Sequence, residues 1–225
     1  MSGNTRNDGD ITHDPGERIS WTNRPPISLR MDTDADDNIV KETDSARRES
    51  LIVDTAEEKR RRMETGCLHC HTQRYVNAFY EQYDNLLILY NEKFARPGQA
   101  IFNSLLAQGL LTDTQFDEEI EWTWFYLWHH EGRRARHRAS MMAPDYTHWH
   151  GMFEVAERFY MELIPQAREL IAEGLAHGGA EAAAASRVSK VVEGILARPE
   201  HAWFEQGAEE QTRLIREQME DRYGQ

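Results

Sequence analysis

The chain has 225 residues, with 26 Lys and Arg against 39 Asp and Glu, and a formal net charge of -13 at pH 7. That acidic balance argues against a nucleic-acid binder, and no apolar run approaches the roughly 20 residues of a membrane-spanning helix. Leu, Ile, Val and Phe together number 43, a share near that of disordered chains. Apolar bulk must therefore come from the six Trp and eight Tyr, from a bound prosthetic group, or from partner subunits.

Residues 1–45 carry Pro15, Pro25, Pro26 and the acidic run Asp32 to Asp37 without a period of 3.6, which predicts an extended arm ordered only against a partner. From Ser45 to Met63 a charged helix is expected, ending in Lys59-Arg60-Arg61-Arg62, cations that suit the end of a helix dipole. Val76, Phe79, Tyr80, Tyr83, Leu86, Leu87 and Tyr90 recur at helical spacing and predict an amphipathic helix over Gln73 to Phe94. Arg96-Pro97-Gly98 is expected to break it, and a shorter helix follows to Gln108, closed by Gly109. Thr112 and Asp113 are expected to cap a long helix through Trp122, Trp124, Phe125 and Trp128 to about Ala139.

Pro144 ends that run, and Asp145 or Thr147 starts the next, with an apolar stripe from Trp149 to Ile164 that continues past a kink at Pro165 to Ile171. Gly178-Gly179 closes it. An Ala-rich helix is expected over Ala180 to Leu196 and a last one over Gln206 to Tyr223, with Leu214, Ile215 and Met219 on its apolar side. No strand pattern and no repeat is visible. The expected fold is all-α: long helices in a bundle-like arrangement, with an N-terminal arm over 1–45, a helical domain over 46–175 and C-terminal helices over 176–225.

The most specific stretch is Cys67-Leu68-His69-Cys70-His71. Two thiols three residues apart can each add to one vinyl group of a haem, and the adjoining imidazole can then reach the iron. This C-x-x-C-H spacing reads as a c-type haem attachment site with Cys67 and Cys70 as tethers and His71 as axial ligand. Two alternatives stand beside it. The cysteines are structural thiols, or they join His69 and His71 on zinc, for which a second, distant ligand pair is missing.

Histidines cluster beyond the motif. His130 and His137 are two helical turns apart, about 10 Å by helix rise, too far for one iron but suited to two closely stacked haems. His129 points elsewhere and is read as packing, and His177 and His201 as structural. His148 and His150 follow soon after. Arg133, Arg134, Arg136 and Arg138 interleave with them, either as partners for haem propionates or as a solvated basic face.

Four stretches carry a resemblance: His13 to Pro26 (HDPGERISWTNRPP), the Cys67 to His71 site, Trp128 to His137 (WHHEGRRARH) and Met141 to Gly151 (MMAPDYTHWHG). From about Thr12 to Leu175 the chain resembles the C-terminal part of the octahaem hydroxylamine oxidoreductases. That family packs eight c-type haems, seven bis-histidine carriers and one five-coordinate catalytic haem, in a trimer whose subunits cross-link a tyrosine to the neighbour's catalytic haem. The resemblance implies that Cys67, Cys70 and His71 hold the last haem and that Tyr146 is the cross-linking tyrosine. It further implies that His13, His130, His137, His148 and His150 are distal ligands, some for haems attached to another polypeptide.

One C-x-x-C-H is present where the family has eight, so the expected role is a C-terminal portion or subunit completed by a haem-rich partner, in a homotrimer-type assembly. A redox-partner cytochrome and a small nitrogen substrate follow from the same resemblance, as does an extracytoplasmic location. No apolar export segment opens the sequence, so export is expected to depend on a segment elsewhere, or the chain is a piece of something longer. Two other readings remain open: a free-standing monohaem electron carrier, and a haem-less helical module that assembles subunits.

Overall fold

The computed structural model describes residues 21–24, 27–30, 32–36, 38–140, 143–207 and 209–224. The fold is all-α, as expected, with one short hairpin that the sequence pattern did not announce: β1 (Trp21–Arg24) pairs antiparallel with β2 (Ile27–Arg30). Two compact units divide the chain. One holds everything up to Asn91 together with His130–Phe153, and the other holds Glu92–His129 and Glu154–Gln225. They interleave along the sequence, whereas the sequence reading divides the chain consecutively.

In the first unit the arm is ordered against its own chain from Asp32 onward. The buried Asp32 carboxylate accepts the backbone N–H of Ala56 at 2.9 Å and pairs with Arg48, while Thr33 bridges both Ile39 and Asp54. Those bridges hold residues 52–54 extended, so the single helix expected over 45–63 is two: α1 (Ser45–Leu51) and α2 (Ala56–Leu68). Thr55 and Glu58 form a reciprocal capping box at the start of α2, which satisfies two otherwise orphaned donors. The Lys59–Arg62 run therefore sits in the first turns of α2 and not at a helix C-terminus. Its guanidiniums are used internally: Arg60 forks onto Asp84 with two bonds of 2.8 Å, and Arg62 onto Asp54.

Thr72 caps α3 (Gln73–Tyr90), whose stripe of Val76, Tyr80, Tyr83 and Leu87 forms the core of this unit. α3 packs on α6 (Gly132–Ser140), and α6 on the short α7 (Pro144–Thr147) and the π turn His148–Phe153. Two glycines permit these approaches. A Cβ on Gly132 would overlap the Tyr90 phenol, and one on Gly151 would lie 2.7 Å from the Ala135 Cα.

The second unit contains α4 (Arg96–Ala107), α5 (Glu119–Phe125), α8 (Glu154–Arg158), α9 (Ile164–His177), α10 (Gly179–Leu196), α11 (Trp203–Gln206) and α12 (Glu209–Tyr223). α10 folds back on α9 through Gly178, at φ 79°, where a glycine avoids the left-handed penalty of other residues. Gly174 lets the pair close: an added Cβ would stand 2.9 Å from the Ala185 Cβ. The helix expected from Thr112 or Asp113 starts later, at Glu119, because Glu118 and Glu121 form its capping box and the Thr112 hydroxyl instead donates to Asp117. The expected last helix is divided at Gly207, at φ 86°.

One further correction concerns proline. Arg96-Pro97-Gly98 does not interrupt its helix, whereas the run past Pro165 continues as the stripe predicts. A π turn, Asn91–Ala95, precedes Pro97, and another, Phe159–Leu163, precedes Pro165. A proline lacks the amide and crowds the carbonyl four residues back, and a widened turn is a known way to accommodate an interrupted ladder. Gly98 fits beneath Trp124, whose Cζ3 would be 2.5 Å from an added Cβ.

His201, read as structural, is fully buried in this unit, with its ring stacked on Phe159 and its Nδ1 2.9 Å from the Tyr160 hydroxyl. Burial lowers its pKa to about 4.

Gly132→Ala is expected to destabilise the chain by about 1–3 kcal/mol through overpacking. Gly194→Ala, where nothing lies within 4 Å of the added Cβ, should stabilise it by about 0.5–1 kcal/mol. Urea midpoints measure both, and a midpoint for Gly132→Ala equal to wild type would contradict the close contact with Tyr90. His201 makes stability pH-dependent. The unfolded histidine takes up its proton near pH 6.5 and the folded one only near pH 4, so the contribution is full above 6.5 and lost as pH falls towards 4. The expected loss is up to about 3 kcal/mol, and His201→Asn should remove that part of the slope.

Candidate functional site

The site is assembled at the junction of α2 and α3 in the first unit. α2 closes on a tight turn in which the Cys67 carbonyl accepts the N–H of Cys70 at 3.1 Å and of His71 at 2.9 Å, while Gly66 accepts that of His69. Thr72 then accepts the N–H of Tyr75 and starts α3. The motif is thus wound as one helical turn between two helices. Cys67 is half-buried and Cys70 exposed, and they are not joined in a disulfide. His71 is exposed, its ring stacked on Tyr75 at 4.3 Å between centroids.

Cys67 packs with Phe79 and Ala139 against the Val76, Tyr80, Tyr83 and Leu87 core. Phe79, Tyr83 and Ala139 in turn wall a cleft of about 310 Å³, completed by Leu86, Pro144 and His148 among others. Its lining is mainly apolar, with Gln82, Thr147 and the His148 imidazole as polar groups, a composition that suits an aromatic group with a few polar contacts. A larger hollow of about 600 Å³ lies along α2, but Asp54, Glu58, Arg61 and Arg62 line it with charge, and none of the sequence-derived ligands reaches it. The smaller cleft shares Phe79, Tyr83 and Ala139 with the apolar cluster on which Cys67 packs.

The remaining sequence-derived residues fall as follows. His13 and Met141-Met142 lie outside the described residues. His130 is half-buried in the π turn Tyr126–Glu131, and His137 is exposed on α6. The seven-residue step between them begins in a π turn, so the ten-ångström, one-face spacing expected for an unbroken α-helix does not carry over. His148 and His150 are exposed in the π turn His148–Phe153. Tyr146 is 37% exposed, with its ring 4.8 Å from that of His150 and 4.7 Å from the Arg138 guanidinium carbon.

The arginines do not form one basic face. Arg136 turns inward, donates through Nε to the Gly132 carbonyl and lies over the buried Tyr90 ring at 4.8 Å, while Arg133 and Arg138 stay exposed. The hydroxyl of Tyr90 is held protonated by burial, which raises its pKa. Among the described residues, three or more metal-ligating groups approach within 4.8 Å of one another only at Asp117, Glu118 and Glu121, so Cys67, Cys70, His69 and His71 are not preassembled for zinc. The acidic trio is occupied by its own loop, accepting from Thr112 and from the Glu118 amide.

Sequence reasoning listed Phe79, Tyr83 and Leu86 only as helix stripe and did not assign Ala139 or Pro144 a role. What joins them is the packing of α3 on α6, which no local pattern encodes. No family model, no curated protein and no solved structure matches the chain. No helix among the described residues is long and apolar enough to cross a membrane.

The unequal exposure of the thiols predicts an order of reaction. In the haem-free chain iodoacetamide should alkylate Cys70 before Cys67, since access governs attack by thiols of ordinary reactivity. Peptide mass mapping at short times checks this, and equal labelling would mean that Cys67 is not packed on the α3 core.

Proposed function

We propose that this chain is the C-terminal portion or subunit of a hydroxylamine oxidoreductase-like multihaem cytochrome c, carrying one electron-transfer haem. The observation that carries the reading is the C-x-x-C-H turn wound beside an apolar cleft. In this reading Cys67 and Cys70 would hold the group through thioethers, and His71 would ligate its iron. Once attached, the haem supplies one-electron transfer, and the residues around it set how readily that occurs. Phe79, Tyr83, Leu86 and Ala139 exclude water from one face. The cationic Arg133 and Arg138 are available to propionates, for which a guanidinium fork is well shaped.

In the same proposal His130, His137, His148 and His150, together with His13, act as distal ligands, partly for haems on a haem-rich partner chain. Tyr146 is the residue that joins a neighbouring subunit's catalytic haem, within a homotrimer-type assembly located outside the cytoplasm. Its exposed ring beside Arg138 is compatible with that task, because the phenol is reachable. A redox-partner cytochrome receives the electrons, and the substrate is a small nitrogen compound such as hydroxylamine. One feature favours a second reading, a free-standing monohaem carrier: His148 lines the cleft next to the cysteine motif and supplies a distal ligand without any partner.

Export of the chain in a host with c-type haem maturation tests both. Denaturing mass spectrometry should find one haem added covalently, and Cys67→Ser with Cys70→Ser should abolish it. His148→Ala should convert a low-spin spectrum to a high-spin one if the chain is a lone carrier, and leave it low-spin if another histidine or a partner supplies the ligand. A colourless product with both thiols open to alkylation rejects the haem reading and leaves the helical assembly module.

A further inference from the structure

The second unit holds a cluster of three side chains that a haem site elsewhere does not use. Tyr160 comes from the π turn before α9, and His201 and Trp203 from the corner that leads into α11. The Tyr160 hydroxyl lies 2.9 Å from His201 Nδ1, and the Trp203 ring packs against that of Tyr160. In the neutral imidazole that carries its hydrogen on Nε2, the Tyr160 hydroxyl donates to Nδ1, and Nε2 is buried without a partner among the described residues.

The surroundings are dry and aromatic. Tyr160 is 3% exposed and His201 fully buried. Phe94, Phe159 and Phe204 pack on the pair, and the half-exposed Trp203 ring lies 4.8 Å from that of Tyr160. At rest the proton belongs on the phenol, since burial raises the pKa of Tyr160 to about 12 and lowers that of His201 to about 4. Removing an electron reverses this order, because an oxidised phenol is a strong acid. The electron leaves a buried phenol readily only if the proton has a base within hydrogen-bond reach.

We infer that Tyr160, His201 and Trp203 form a proton-coupled one-electron relay, through which a high-potential one-electron oxidant at the exposed edge of Trp203 draws an electron from Tyr160. Tyr160 loses one electron and its O–H bond breaks. The proton forms an N–H bond at His201 Nδ1, which leaves a neutral phenoxyl radical beside an imidazolium, and the oxidant is reduced by one electron. Return of an electron sends the proton back. Glu200 favours the imidazolium, and Lys93 and Arg198 oppose it. This inference is independent of the haem reading and fails separately from it.

The test uses the full chain with flash-photogenerated tris(bipyridine)ruthenium(III) as oxidant, read by EPR and by the transient absorption of the phenoxyl. Wild type should give a persistent phenoxyl signal that Tyr160→Phe lacks, formed with a solvent deuterium isotope effect. His201→Asn keeps an acceptor near the Nδ1 position but cannot take a proton. It should slow formation roughly 100-fold, the low end of what a positioned base supplies, while circular dichroism confirms that it is folded. The same persistent signal in Tyr160→Phe, or an unchanged rate in folded His201→Asn, overturns the relay and leaves a structural pin. Should His201→Asn unfold, the isotope effect in wild type decides, and a ratio of one overturns the inference.

Discussion

One carbonyl oxygen organises the candidate site. By accepting the amides of both Cys70 and His71, the Cys67 carbonyl keeps the motif wound after α2 has ended, so two sulfurs and an imidazole share a turn. Each neighbouring feature keeps that turn in place. Asp32 and the Thr55–Glu58 box fix the start of α2, Arg60 clamps α2 to α3 through Asp84, and Thr72 restarts the helix immediately afterwards. A buried carboxylate that both caps a helix and pairs with an arginine is costly to leave unsatisfied, which explains why the chain before α1 is drawn into the fold.

The helices are long only because they tolerate π turns. Four such turns occur among the described residues, and each answers a local problem. Two precede prolines, where the regular ladder would meet a missing amide and a steric clash. The other two, Tyr126–Glu131 and His148–Phe153, adjoin or contain Gly132 and Gly151, where another side chain or backbone comes too close for a Cβ. The three places where the chain passes between units fall in or at the end of π turns. A π turn rotates every later residue relative to α-helical register, which is why His130 and His137 cannot be related by counting at 3.6.

What the sequence made legible was therefore local. Periodicity and glycine placed α3, α9 and α10 and the stops at Gly109 and Gly178, because a stripe and a positive-φ glycine each act over a few residues. The cysteine motif was legible for the same reason, its chemistry lying within five positions. Hidden were effects set by distant partners. Thr33 pairing with Asp54 splits a helix that composition alone would continue, Pro97 looks like a breaker when only local propensity is weighed, and the cleft needs α3 and α6 together. His201 reads as structural, but its hydrogen bond to Tyr160 spans 41 residues and has no signature in either neighbourhood.

The fold also sorts its histidines by what their lone pairs can do. A ligand must be neutral and reachable. His201 is neutral but enclosed, His129 is stacked on Phe125 at 4.5 Å, and His177 is engaged with Glu181 at 2.7 Å. His71, His137, His148 and His150 are instead exposed in one unit, close in sequence to the arginines of α6. Exposure of that many imidazoles in a chain poor in aliphatic residues gains little stability in itself, since a solvated histidine contributes almost nothing to packing. In the proposed reading these are the imidazoles open to a ligand, and the same unit holds Cys67 and Cys70.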